Sequence, residues 1–216
     1  IGKNIQNSKG FVGRISLDFS LGELAPAECL GFWGKKAGRT STRDILDVLS
    51  VTGGIPKYLN EIDPALPPDE NIRRLCFDPD GYLFKDFDRI FDDVFGGSLA
   101  TKRRILTALA NGPASVTDLA ADFGSDPNGH LSEDLSELVE AGFIARSAGL
   151  NPTTGKPVRE IRYRLRDNYT RFYLRYIQPR RETILNGFYK YVPLERMPGW
   201  ETVMGLQFEN LVLNNI

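Results

Sequence analysis

Few side chains in this sequence are of the types that ligate metals or attack bonds. His130 is the only histidine, which excludes histidine-based metal sites and leaves a single imidazole for any Ser-His or Cys-His chemistry. It opens an acidic stretch and is expected as a helix-start or surface residue. Cys29 and Cys76 lie far apart and outside any C-x-x-C spacing. Neither a disulfide framework nor a zinc site is expected, and both thiols are expected to be buried. The Gly-Lys pairs at Gly2, Gly34 and Gly155 lack the spacing and the following hydroxyl of a phosphate-binding loop, so the chain is not expected to hydrolyse ATP alone by that chemistry.

Charge is the more informative feature. The 216 residues carry 27 Lys and Arg against 28 Asp and Glu, so net charge by itself points to neither nucleic acid nor membrane. Local distribution differs. Between 156 and 182 stand Lys156, Arg159, Arg162, Arg164, Arg166, Arg171, Arg175, Arg180 and Arg181, nine cations against the acids Glu160, Asp167 and Glu182, an excess of six. Three explanations stay open for this stretch: contact with DNA, docking against an acidic surface or partner, or a solvated strand face. The segment from Leu131 to Gly142 is its opposite, with Glu133, Asp134, Glu137 and Glu140 and no Lys or Arg.

The elements that position these charges follow from periodicity and punctuation. Ile15, Leu17 and Phe19 alternate as in a half-buried strand, and Pro26 suits the start of a short helix through Trp33. Helical spacing then recurs. Ser41 and Asp44 resemble a capping box, Gly53-Gly54 stops that helix, Pro56 starts another, and Asp69 is expected to cap a helix reaching Cys76. Phe84, Phe87, Ile90, Phe91, Val94 and Phe95 form one face of a further helix. From Ser98 the order changes: helices over 101–110, 116–123 and 131–141 precede two alternating strands, 143–147 and 160–165, joined by the Pro- and Gly-rich loop Gly149 to Pro157. Three helices and a hairpin are the winged helix-turn-helix order. Tyr169, Phe172, Tyr173, Tyr176 and Ile177 then make an aromatic helical stripe, read as core in preference to a base-stacking platform. The fold expected is mainly α with a small β wing: a compact helical subdomain followed by a winged helix-turn-helix domain.

No stretch is long and apolar enough for a membrane helix, and the first ten residues lack the apolar run of a signal peptide. A cytoplasmic protein without a membrane partner is expected. The start at Ile1 and the end inside an apolar helical pattern read as a fragment of something longer.

Four motifs in order carry a resemblance. Gly53-Gly-Ile-Pro-Lys-Tyr-Leu59, Arg103-Arg-Ile-Leu-Thr-Ala-Leu-Ala-Asn-Gly112, Tyr163-Arg-Leu-Arg-Asp-Asn-Tyr-Thr-Arg-Phe-Tyr-Leu-Arg-Tyr-Ile-Gln-Pro179 and Gly205-Leu-Gln-Phe-Glu209 together resemble the archaeal-type ATPase family of the AAA+/STAND class. The resemblance implies that residues 1–33 are a remnant of a P-loop ATPase core, 34–97 a helical lid, 98–178 a winged helix with an appended helix, and 179–216 the start of a nuclease-like domain. It implies ATP and magnesium as cofactors of the parent protein and none for the fragment. The missing core and C-terminal domain would be its partners, beside DNA or another protein.

By that resemblance Gly54, Pro56, Lys57 and Arg14 are candidate nucleotide-binding residues, with Pro56 offering a flat face to adenine and Lys57 a point charge to phosphate. A glycine helix stop followed by a proline helix start explains the same residues without a nucleotide. Lys156, Arg159, Arg162 and Arg164 are candidates for nucleic-acid or partner binding. No catalytic or metal-ligating residue is expected, Glu209 being the only position matching the nuclease-like acids. Two functions remain in view: a regulatory lid and winged-helix piece of a nucleotide-switched ATPase, inactive alone, and a winged-helix DNA-binding transcriptional regulator. Four acids on the third helix argue against its insertion into a groove lined by phosphates.

Overall fold

The computed structural model describes residues 22–95, 99–125, 129–150 and 157–215. The expected strand at 11–19, Arg14 and Lys156 lie outside them. The helical part begins with α1 (Pro26–Cys29), which passes directly into a 3-10 segment, Leu30–Lys36, so the helix expected through Trp33 is split in winding type. Then come α2 (Thr42–Thr52), α3 (Pro56–Leu59), α4 (Pro68–Cys76) and α5 (Tyr82–Phe95). Ser41 accepts the Asp44 N–H at 3.1 Å as N-cap of α2. Helix α4 starts earlier than expected: Pro67 holds the extended cap conformation and Pro68 supplies a helix-ready φ, which places Asp69 inside the first turn, where its charge favours the dipole.

The second part runs α6 (Leu99–Leu109), β1 (Ala114–Ser115), α7 (Val116–Asp122), α8 (Gly129–Glu140), β2 (Ile144–Leu150) and β3 (Pro157–Leu165). The strands form one antiparallel sheet of order β1-β3-β2, with Ser115 opposite Arg162 and Ser147 opposite Arg162 on the other side. That topology with three helices is a winged helix-turn-helix. Its hinges are local. Ser115 and Asp118 exchange both capping-box bonds at the start of α7, and Gly142 leaves α8 with a φ of 82° that side chains beyond glycine disfavour.

The aromatic stripe joins the two parts. Helix α9 (Asn168–Phe172) continues as a π-wound turn, Tyr173–Ile177, where the spacing alone predicts one α-helix. Every residue from 168 to 177 except Arg175 is buried, so this segment has no solvent face to keep regular. Tyr169 meets Tyr58 of α3 at 5.0 Å, Tyr173 stacks on Phe87 of α5 at 4.0 Å, and Phe172 meets Phe77 at 6.0 Å. Each such pair adds about 0.5–1.5 kcal/mol beyond the area it buries. After α10 (Arg181–Leu185), the last helix α11 (Trp200–Leu213) packs its Trp200 edge-on to Phe172 at 5.9 Å. The core therefore runs unbroken from the helical part into the winged helix.

Candidate nucleic-acid interface

A winged helix presents its third helix and its wing to DNA, so the charges on α8 and the hairpin decide what this one can hold. Leu131, Leu135 and Leu138 turn one side of α8 inward. His130 and Glu133 stand on the other, with side chains 96% and 77% exposed and 3.7 Å apart. Two of the other acids, Asp134 and Glu137, have an internal task. Lys102 of α6 is only 2% exposed, and its Nζ lies 2.7 Å from Asp134 and 3.1 Å from Glu137. Burial pulls the Lys102 ammonium down, yet its hydrogen bonds to these carboxylates outweigh this and hold its pKa above the usual lysine value. The acidity of α8 thus fastens it to α6. A groove-facing helix with Glu133 and Glu137 outward and no cation would meet phosphates with the wrong sign.

The basic stretch divides in two. Arg164 donates to Asn210 at 2.5 Å and to Asn214 at 2.9 Å. Arg171, 2% exposed, donates to Gln207 at 2.8 Å and to the Leu165 carbonyl at 2.9 Å. Gln207 in turn donates to the Asn168 carbonyl at 2.6 Å, and Asn210 to the Leu165 carbonyl at 2.7 Å. These cations clasp α11 against β3 and α9. Burial, with Arg164 adding repulsion, lowers the Arg171 guanidinium to about 10. Amides of an apolar helix accepting internal arginines is an arrangement that none of the three readings of the stretch anticipated. The signal was present as Gln207, Asn210 and Asn214 at helical spacing, polar positions within an otherwise apolar pattern.

The other half stays near solvent. Arg162 is roughly half exposed, donates to the Pro113 carbonyl at 3.0 Å and lies 3.5 Å from Asp118. Arg146 on β2 is exposed, and Arg159 lies on β3. The wing therefore keeps cations that α8 lacks.

The candidate nucleotide residues are placed differently. Gly54 donates its N–H to Glu23 at 3.0 Å and accepts from Leu24 at 2.8 Å, and a Cβ there would come within 2.0 Å of the Leu24 carbonyl oxygen. The glycine permits two chain segments to touch. Its N–H is engaged by a carboxylate, which is the wrong neighbour for a phosphate, so the residues described around Gly54 do not fit that end of a nucleotide. Pro56 and Lys57 are exposed, and the Lys57 Nζ sits 5.3 Å above the Tyr82 ring. Among the described residues no group of three or more His, Cys, Asp or Glu is placed to hold a metal ion, Glu209 included. Both cysteines are buried free thiols, Cys29 being raised to about 11 mainly by burial. No described helix is long and apolar enough to cross a membrane.

Comparison with known proteins agrees with the geometry. Residues 99–146 match a helix-turn-helix domain family. The match spans α6 to the start of β2. Over 150 residues the chain is 27% identical to an uncharacterized protein of Methanocaldococcus jannaschii, an alignment covering 68% of this chain and 32% of that relative. The chain thus spans about a third of the relative's length. No solved structure matches the chain.

Proposed function

We propose that this chain is a DNA-binding regulatory module in which a winged helix shares its core with a helical unit and holds the duplex through its wing. The observation that carries this reading is the helix-turn-helix matched over residues 99–146, which the structure completes with a sheet of order β1-β3-β2. The distribution of charge supports the wing as the contact: Arg146 and Arg162 are exposed on the hairpin while α8 offers His130 and carboxylates. Contacts of this kind grip phosphate and carry little sequence information.

The test is fluorescence anisotropy with a labelled duplex across a salt titration. Affinity is expected to fall with salt at a log–log slope of about −3 or steeper, and Arg146→Glu with Arg162→Glu to make the slope shallower by about two. No binding, or binding indifferent to both substitutions, would sink the proposal.

A second reading is favoured by the exposure of Pro56 and Lys57 at the start of α3: these residues close as a lid over a nucleotide held by an upstream P-loop core of an ATPase, and the shared core passes that movement to the winged helix. Calorimetric titration of magnesium–ATP into a chain extended upstream tests it. Binding that weakens on Pro56→Ala with Lys57→Ala supports it, and absence of binding removes it.

A further inference from the structure

Apart from the wing, cations gather on a second face of the winged helix, where α6 meets the π-wound turn. A cleft of about 570 Å³ opens there, lined by Arg103, Arg104, Thr107, Asn111, Phe123 and Gln178 among others, with Asp122 as its one acid. The Arg104 guanidinium carbon lies over the Phe123 ring, 4.5 Å from its centroid. At the rim Arg175 donates to the Asn111 side chain. Arg180 donates to the Arg175 carbonyl at 3.0 Å and lies 5.6 Å from the Tyr176 ring centroid. Among the described residues no carboxylate forms an ion pair with Arg104, Arg175 or Arg180. Their positions are set by ring faces, an amide and carbonyls, none of which neutralises them.

The cleft also joins the wing. The turn 111–113 is held by Arg175 at Asn111 and by Arg162 at Pro113, so a run of cations passes from Arg180 through Arg175 and across this turn to Arg162. We infer that this run is a track for the phosphate backbone of a nucleic acid, with the α6 cleft as a second grip beside the wing. Arginines pre-set on aromatic faces suit phosphates, because their forks are oriented before the ligand arrives. Glutamine, threonine and asparagine in the same cleft add neutral donors of the kind that contact phosphate oxygens. A track of this geometry explains how a winged helix with an acidic third helix holds nucleic acid at all. The inference rests on the DNA-binding reading above.

The experiment uses anisotropy of a fluorescein-labelled 24-base-pair duplex, with a labelled polyglutamate peptide of similar charge as the comparison probe. Arg104→Glu with Gln178→Glu alters two exposed cleft positions, and Thr107→Glu, also exposed, is a second variant that leaves every arginine in place; circular dichroism checks that both fold. Each is expected to weaken duplex binding tenfold or more, the double variant with a salt slope shallower by about one to two. Duplex binding unchanged in both variants but lost in Arg146→Glu with Arg162→Glu overturns the cleft and leaves the wing reading standing. Absence of duplex binding by the unaltered chain overturns both. Polyglutamate bound as tightly as the duplex, and lost in the same variants, overturns the nucleic-acid track in favour of an acidic protein partner.

Discussion

Lys102 and Arg171 are equally hidden, each 2% exposed, but they are held by opposite means. Lys102 sits between two carboxylates of α8, one of which, Glu137, is half in solvent. Arg171 sits among neutral oxygens, from Gln207 and from the carbonyls of Leu165 and Leu206. The first arrangement cancels charge and the second only solvates it. Their pKa directions follow, raised for Lys102 and lowered for Arg171. A row of like charges in a sequence thus reveals little about a surface until its acceptors are known. Asp134 and Glu137, which look like part of an exposed acidic face, act as a clamp, and Arg164 and Arg171, which look like part of a nucleic-acid contact, secure a helix.

The largest effect is expected where a long side chain is fully packed and its closest acceptors, Gln207 and the Leu165 carbonyl, are buried and would lose their donor. Arg171→Ala removes the donor to Gln207 and to Leu165 and opens a cavity beside α11. The expected loss is about 3–5 kcal/mol, read as a shift of the urea midpoint, together with increased protease cleavage within 200–213. A loss under about 1 kcal/mol would mean that the clasp is dispensable and the comparison is wrong.

Lys102→Met is expected to cost less, about 2 kcal/mol, because Glu137, half in solvent, can turn to water and only Asp134 is left largely covered. Adding Asp134→Leu should recover part of that loss, which a double-mutant cycle measures. The sign of the pH dependence is also set. A cation with a raised folded pKa contributes stability that is complete below its unfolded value near 10.5 and is lost as pH rises through the folded value. The stability gap between the unaltered chain and Lys102→Met should therefore close above about pH 10.5.

These roles explain what was and was not legible in the sequence. Apolar periodicity with Gly and Pro stops located the helices of the winged helix and its hairpin, because those elements bury one face in the ordinary way. Periodicity located the aromatic stripe as helix but could not announce the π winding at 173–177, because the same side chains can be buried by either winding. It also misjudged Asp69, since Pro67 and Pro68 start α4 before any side-chain cap is needed. The candidate site was half legible. Arg162 and Arg164 stand two positions apart, each between apolar or aromatic neighbours, yet one borders solvent and the other is spent on α11. That distinction lives in a contact between residues more than forty apart in the chain, which no local pattern encodes.

Glu23 follows Lys102 in expected effect and carries the opposite charge. Burial raises its pKa, nearby Asp167 raises it further, and the Gly54 N–H and Arg166 only partly offset this. A carboxylate with a raised folded pKa adds stability that is present below its unfolded value near 4.5 and is lost as pH climbs through the folded value. At neutral pH its charge is a burden. Glu23→Gln keeps an acceptor for Gly54 and is expected to stabilise the chain at pH 7 by less than about 1 kcal/mol. The gain should vanish toward pH 4, as thermal melts at the two pH values would record. A gain of the same size at both would show that the charge itself is not what Glu23 contributes.

The smallest stability effect is expected at Arg162, and there the comparison turns into one about function. Its side chain is 47% exposed, its ion pair with Asp118 spans 3.5 Å, and Asp118 itself is 55% exposed. Pairs of this kind are worth about 0–1 kcal/mol. Asp118 keeps its principal partner, the Ser115 N–H, when the arginine is gone. Arg162→Gln should therefore shift the urea midpoint by no more than about 0.5 kcal/mol, an order below Arg171→Ala, while reducing the salt slope of duplex binding by about one. A side chain that matters to binding and hardly to folding must face a partner, whereas one that matters to folding alone must face the core. If Arg162→Gln instead unfolds the chain as Arg171→Ala does, the division of the basic stretch into a clasp and a contact surface fails at the residue that defines its boundary.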